Sequence, residues 1–384
     1  MRIRLGFLKA LDRGAGALLH RLLVPWRLLR DGLASDEPLR DVREIAVVKF
    51  WGVGNAALLL PVLGRLRQRY PGARLTVVTL AHIAPIYRDA ADRILTVRLR
   101  PFPRALFDLI RVAWRLRRDR IDLALDMEQF VRTSQLVLFL ARARQVIAFD
   151  TPGLGRATLA DIRVPYDDHR HMGESFLDLA RSVGVTGERY TPGGLRARVP
   201  SPLTSGDSAV VVLHPGSGDN FPGRRWPAER FGELARRLVD AGTRVAITGS
   251  AHERGIVDAV VAAAQRPLFD CAGKLSLDEL VALLDGADLL VSNDTGPVHL
   301  ASALSTPVYA LYGPNTPRLY GPLSAGSRAF YDAPPCSPCI TNFNHKTSRC
   351  LNPVCIQAIP ADAVIAAALA HVKGVAHRSS ERTA

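Results

Sequence analysis

From Glu44 onward the chain alternates short apolar runs with longer segments whose apolar positions recur at helical spacing. Ile45-Ala-Val-Val-Lys-Phe50 reads as a buried strand, Gly52 to Asn55 as a turn, and Ala56 to Tyr70 as a helix stopped by Pro71-Gly72. Further strands are predicted at Leu75–Leu80, Ile94–Leu99, Ile121–Leu125 and Val146–Phe149, with helices at Phe107–Arg118 and His169–Val185. A stretch rich in Pro, Gly and Ser, Thr191 to Gly206, interrupts the alternation. It restarts with strands at Ala209–Leu213, Arg244–Thr248, Leu289–Val291 and Val308–Leu311, and helices at Ala228–Ala241, Gly255–Ala264 and Leu277–Leu284. Strands separated by helices of this length form parallel sheets covered on both faces. Two such blocks predict an α/β chain of two doubly wound, Rossmann-like domains facing a central cleft, with ligands beyond the carboxyl ends of the strands. The expected bounds are 1–40 for an N-terminal segment, 41–195 for the first domain, 196–208 for a linker, 209–372 for the second domain and 373–384 for a flexible tail. No short-period repeat is present.

Size and charge narrow the partners. A chain of 384 residues suits two cores rather than one. Lys and Arg number 50 against 36 Asp and Glu, a net charge of +14, which favours an anionic partner: nucleic acid, acidic lipid or a phosphorylated substrate. Aromatic residues are only 7%, and no zinc-finger, RRM or KH signature occurs, so nucleic acid is excluded as the expected partner. No apolar run reaches the roughly 18 residues of a membrane span, and no small-residue cleavage site follows an apolar N-terminal core. A cytoplasmic protein is expected. In the first 35 residues Arg2, Arg4, Lys9, Arg13, Arg21, Arg27 and Arg30 are set among Leu, Phe and Trp26, with a break at Pro25. A basic amphipathic segment of this kind suits an anionic membrane surface; the alternative is a helix packed on the protein's own body.

Four strand-end turns carry candidate chemistry. Asp288-Leu-Leu-Val-Ser-Asn-Asp-Thr-Gly-Pro-Val-His299 runs from an apolar strand through a polar turn into a helix, with Pro297 in the first helical turn, where its missing N–H costs nothing. Free N–H groups and the positive end of the helix dipole then meet at Thr295-Gly296, which suits an anion. His214-Pro-Gly-Ser-Gly218 follows another strand, and Arg224-Arg225 adds charge just before a helix; paired arginines beside exposed N–H groups suit a diphosphate. Thr248-Gly-Ser-Ala-His-Glu253 is a third strand-end turn. Phe50-Trp-Gly-Val-Gly-Asn55, in the first block, is neither a complete G-x-G-x-x-G nor a P-loop.

Taken together, these residues resemble glycosyltransferase family 9, the bacterial heptosyltransferases of lipopolysaccharide core assembly. The resemblance rests on His214-Pro-Gly-Ser with Arg-Trp-Pro227, on Gly249, and above all on Asn293-Asp-Thr-Gly-Pro-Val-His-Leu-Ala-Ser-Ala. Val47 to Leu63 and Ile121 to Arg132 are similar to the family's N-terminal half, so the likeness covers roughly residues 44–360. It implies a GT-B fold and an inverting, metal-independent transfer from a nucleotide sugar, typically ADP-heptose, to a lipid-linked saccharide on the inner face of the cytoplasmic membrane. No cofactor is then required. Carried over, His214, Gly216, Ser217, Arg224, Gly249, Thr295, Gly296 and His299 would bind the donor. Asp294 would hold the donor or shape the turn. Another sugar nucleotide, an epimerase, or a non-catalytic nucleotide-sugar-binding homologue remain alternatives.

One position departs from the family. Where many heptosyltransferases carry an Asp as proposed general base, this chain has Asn55, and an amide cannot take up the proton. Either Asp126 or Glu128 replaces it, or Asn55 only positions the acceptor in a strongly dissociative reaction, or the chain is a weakened transferase. Separately, Cys336, Cys339, Cys350 and Cys355 fall close together, with Cys271 apart and His345 inside the loop. Their spacing leaves a structural zinc site, disulfides or free thiols open, and a reducing cytoplasm argues against disulfides.

Overall fold

Each strand-and-helix block closes into its own six-stranded, all-parallel sheet, and the chain divides into two units at Thr191/Pro192. The computed structural model describes residues 12, 14, 16, 18, 22–25, 39 and 41–383, apart from 204–207, 219–220 and 345–347, with side chains described as far as residue 375. The basic segment expected at 1–40 therefore lies almost wholly outside the described residues, as does His345. Among the described residues no helix is long and apolar enough to cross a membrane.

In the first unit the strands are β1 (Glu44–Val48), β2 (Arg74–Leu80), β3 (Arg93–Val97), β4 (Leu123–Asp126), β5 (Gln145–Asp150) and β6 (Ile162–Pro165), in the spatial order β3-β2-β1-β4-β5-β6. Its helices are α1 (Val53–Arg69), α2 (Phe102–Arg118), α3 (Thr133–Ala141) and α4 (Met172–Arg181). In the second unit β7 (Val210–His214), β8 (Arg244–Ile247), β9 (Phe269–Asp270), β10 (Leu289–Asn293), β11 (Val308–Tyr312) and β12 (Arg328–Tyr331) repeat that winding as β12-β11-β10-β7-β8-β9. Helices α5 (Ala228–Asp240), α6 (Arg254–Ala264), α7 (Leu277–Asp285), α8 (Gly296–Ala303), α9 (Pro317–Tyr320), α10 (Val354–Gln357) and α11 (Ala361–Thr383) accompany it.

The central strands are apolar throughout because both faces are covered. Every residue of β7, β10 and β11 is buried. Val211, Leu213, Val291 and Leu311 pack with Trp226 and Phe231 in the core of the second unit. Trp226 is fully buried, meets Phe231 edge-on at 5.1 Å, and donates its indole N–H to the Ile359 carbonyl at 3.1 Å. That bond ties the approach to α5 to the segment leading into α11.

The structure adds elements that periodicity did not predict: β6, β9, β12 and α3. Strands β9 and β6 are two and four residues long, with Asp, Arg or Pro in them, too short for a pattern to build. Helix α3, Thr-Ser-Gln-Leu-Val-Leu-Phe-Leu-Ala, is an apolar run with no polar face to show its period. Helix α11 runs from Ala361 to Thr383, across the boundary expected at residue 373.

Candidate functional site

Strand order reverses between β7 and β10, and parallel pairing aligns Ser292 with His214. The turns that leave these two strands therefore start side by side, at the topological switch point where doubly wound sheets take their ligands. Asn293 joins them. Its side chain, fully buried, donates to the carbonyls of Pro215 at 2.8 Å and Gly216 at 3.3 Å, and accepts from the Trp226 N–H at 3.0 Å. One carboxamide thus fixes three segments: 214–218, 224–227 and 293–296.

Arg224 and Arg225 grip the first of these turns. Arg224, 8% exposed, donates to the Ser217 carbonyl and, at 3.1 Å, to the Asp294 carbonyl. Its Nη1 lies 3.8 Å from the Asp294 carboxylate, which also accepts from Asn315 Nδ2 at 2.6 Å. Its Nε is buried and has no partner among the described residues. A buried guanidinium with one donor unspent is suited to an anionic ligand. Arg225 Nε donates to Ser217 Oγ at 3.1 Å, and Arg225 Nη2 to the Gly218 carbonyl at 3.3 Å.

Opposite, α8 begins at Gly296 with Thr295 as its extended N-cap residue. Among the described residues the Thr295 and Gly296 N–H groups meet no acceptor, as the geometry of a helix start dictates. Thr295 Oγ1 lies 3.2 Å from Ser292 Oγ. His299, one turn into α8, is buried, with its ring centroid 5.9 Å from that of Tyr320.

The turn after β8 supplies the third wall. Glu253 accepts from the Gly218 N–H at 2.9 Å, the Ser250 N–H at 2.8 Å and the Ser250 hydroxyl at 2.9 Å. Burial works to raise its carboxyl, but those hydrogen bonds and the nearby His214 hold it down at about 2. A Cβ on Gly216 would collide with this carboxylate, so any other residue there must displace Glu253 from its hydrogen bonds to Gly218 and Ser250. At Gly249 a Cβ would press on Val257 Cγ2 at 3.0 Å. His214 Nδ1 lies 3.0 Å from Thr248 Oγ1, and burial pushes its ring well toward the neutral form, with Glu253 opposing. At neutral pH the positive charge at this edge thus comes from Arg224, Arg225 and the α8 N-terminus, not from His214.

The structure brings together His214, Gly216, Ser217, Arg224, Asp294, Thr295 and Gly296, with Gly249 one turn away. Sequence reasoning missed Glu253 as an organiser of the site. Its signal was present: Ser250-Ala-His-Glu253 has the S-x-x-E spacing of a capping box, and the structure forms one.

Asn55 and Asp126 belong to the first unit, at the matching edge of its sheet. Asn55 sits in the first turn of α1, behind Gly52, which needs its positive φ of 89°. Its carboxamide makes no hydrogen bond to another described residue. Asp126, at the end of β4, is fully buried. It accepts from Ser134 Oγ at 2.9 Å, Gln135 Nε2 at 2.6 Å and the Glu128 N–H at 3.1 Å, and pairs with the equally buried Arg156. Glu128 is buried too. It pairs with Lys49 at 3.0 Å and takes the N–H groups of Phe50 at 2.6 Å and Trp51 at 3.0 Å. Both carboxylates shape the first unit's turns and have their oxygens occupied.

The cysteines lie after β12. Cys336, Cys339, Cys350 and Cys355 are free thiols, as is Cys271. Among the described residues no three His, Cys, Asp or Glu side chains gather closely enough to hold a metal ion. The zinc alternative thus finds no preformed site there. Burial pushes the Cys355 thiol up, and Cys339 and Cys336 add to it.

Fold and site define a class: a protein of two Rossmann-ordered units, the second with an anion-suited strand edge built from N–H groups and arginine. Residues 109–348 match the sequence model of "Glycosyltransferase family 9 (heptosyltransferase)", more than half of the chain, and the chain belongs to that family. Lipopolysaccharide heptosyltransferase 2 of Escherichia coli (strain K12) is 40% identical over 128 residues, 32% of this chain and 36% of that protein. The chain thus aligns with little more than a third of that relative's length. Lipopolysaccharide heptosyltransferase 1 of the same strain is 28% identical over 303 residues, 72% of this chain and 90% of that protein. Among solved structures, the family 9 glycosyl transferase from Veillonella parvula DSM 2008 superposes with a TM-score of 0.74 at 22% identity, over 88% of this chain and 100% of that one. E. coli ADP-heptose lps heptosyltransferase II gives 0.68 at 22% identity, over 86% of this chain and 99% of that one. The fold is α/β, of the GT-B type.

Proposed function

We propose that the protein transfers a heptose from ADP-heptose to a lipid-linked saccharide of lipopolysaccharide core or a related surface glycan, with inversion and without a metal ion. The observation that carries this reading is the nest at the switch point of the second unit. There Asn293 holds three turns so that the Thr295 and Gly296 N–H groups stand beside the Arg224 guanidinium, which donates to the neighbouring Asp294 carbonyl. Such a nest suits the leaving diphosphate. Preorganised N–H dipoles and a guanidinium stabilise the charge that grows on it as the bond to the sugar breaks, a role a metal ion fills elsewhere. The choice of ADP-heptose is supported by solved relatives described as E. coli heptosyltransferase WaaC with ADP and with ADP-2-deoxy-2-fluoro heptose.

Asp126 and Glu128 are committed to structural bonds, so on this reading neither serves as base. Asn55 orients the acceptor hydroxyl with its free carboxamide. The bond from the sugar to diphosphate breaks ahead of bond formation, the hydroxyl attacks from the opposite face, and its proton leaves late, to solvent water on the acceptor side, while ADP departs as the anion. Asn55 also favours a second reading, a homologue that binds the nucleotide sugar without turnover.

Calorimetric titration with ADP, UDP, GDP and CMP tests the proposal. Selective ADP binding, weakened about ten- to a hundred-fold in Arg224→Ala, is expected from losing a charged hydrogen-bond donor. Selective binding of UDP or GDP would replace the donor, and no binding of any would overturn the proposal. ADP binding without product from radiolabelled donor and core lipid would favour the second reading.

A further inference from the structure

Helix α2 is apolar on two faces, where a helix covering a sheet needs one. Ala105, Val112, Ala113 and Leu116 are buried toward the first unit. On the other side Leu106, Phe107, Ile110 and Trp114 are 52%, 62%, 56% and 59% exposed. Since each residue turns the helix by about 100°, these four form one outward stripe. Arg104, Arg111, Arg115 and Arg118 follow one flank of it, and Arg117 stands near its C-terminal end.

The charge is one-sided. The only acid in the helix, Asp108, is buried and bonded to Arg98 at 2.9 Å. Arg111 reaches it at 3.4 Å and Arg115 reaches Asp119 at 3.3 Å. Arg104, Arg117 and Arg118 pair with no acid among the described residues. The Arg118 guanidinium instead lies over the Trp114 ring, 5.7 Å from its centroid. A second copy of the chain, docked face to face on this stripe, would set arginine row against arginine row. An apolar ridge edged by arginine, with Trp and Phe among its members, instead matches the boundary between headgroups and acyl chains of an anionic bilayer.

We propose that α2 is a membrane-docking helix that lies in the plane of an anionic lipid surface, with Leu106, Phe107, Ile110 and Trp114 in the acyl boundary and Arg104, Arg117 and Arg118 on lipid phosphates. This helix is a different stretch of the sequence from the basic N-terminal segment. It rests on the transferase reading only for its purpose, which is to hold the protein where a lipid-linked acceptor lies.

The test is flotation of the full chain with vesicles of phosphatidylethanolamine and phosphatidylglycerol, against phosphatidylcholine alone, without donor or acceptor. Binding to the anionic vesicles is expected, weakened about ten-fold or more in F107S/W114S and in R104E/R118E. Brominated acyl chains should quench the wild-type tryptophan fluorescence more than that of W114F. Both double variants should keep the wild-type ADP titration, which shows that they fold. Flotation of the variants equal to wild type would overturn the proposal. So would F107S/W114S dissociating an oligomer while vesicle binding persists. Vesicle binding by a protein that binds no nucleotide would sink the transferase reading and leave this one standing.

Discussion

Glu253 holds the turn after β7 open from below, taking two backbone N–H groups and a hydroxyl with its two oxygens. Glu253→Gln brings an NH2 group against one of those donors, which then loses a charged acceptor. A loss of about 1–3 kcal/mol in urea unfolding is expected, with weaker ADP binding; wild-type values for both would refute this role. At Asn55 the expectation is opposite in kind. If the amide only positions the acceptor, Asn55→Asp changes turnover by far less than the roughly 100-fold that a general base supplies. A gain of that size, measured with the native acceptor, would restore base catalysis. At this scale the sequence was legible where a residue acts through its backbone or its charge. Thr295, Gly296 and Arg224 could be named from a turn and a charge. Asn293 and Glu253 act by reaching across to turns distant in the chain, and no local pattern shows a reach.

Among the elements, α3 has the most unusual start. Its N-cap position, Arg132, offers no side-chain cap, and a residue over a hundred positions away takes that part. Asp12 accepts from the Arg132 N–H at 3.0 Å, the Thr133 N–H at 2.8 Å and the Thr133 hydroxyl at 2.5 Å. A carboxylate at a helix N-terminus satisfies orphan donors and meets the dipole favourably. Asp12→Ala should therefore cost about 1 kcal/mol, read as a lower urea midpoint at unchanged slope. No change would mean that this cap is empty in solution. The case also explains why α3 escaped sequence reading: its stop and start signals are not beside it. By contrast α8 announced itself through Pro297 and the apolar strand before it, and α1 through Pro71-Gly72 at its end.

At the scale of the whole molecule, acid should loosen the second unit in two stages. His214 is pushed below its ordinary 6.5 and Glu253 below 4.5, to about 2. Both groups take up protons more readily when unfolded, so their stabilisation is present at neutral pH and fades on acidification. The His214 share begins to fade as pH falls through 6.5, and the Glu253 share between 4.5 and about 2. Thermal melts from about pH 7 to about pH 5 should show a falling Tm, and His214→Asn, which does not titrate, should flatten that first decline. A Tm flat over this range in the wild type would contradict it. The winding of both sheets was legible because buried parallel strands need long apolar runs; edge strands β6, β9 and β12 need less cover and left less trace. The twin winding has a consequence for how such a protein can be taken apart. Among the described residues no strand of one sheet pairs with a strand of the other, and the chain passes from one unit to the next at Thr191/Pro192. Residues 192–384, expressed alone, should fold and titrate with ADP. A gene built this way can exchange one half for another and leave the remaining sheet's strand pairing intact.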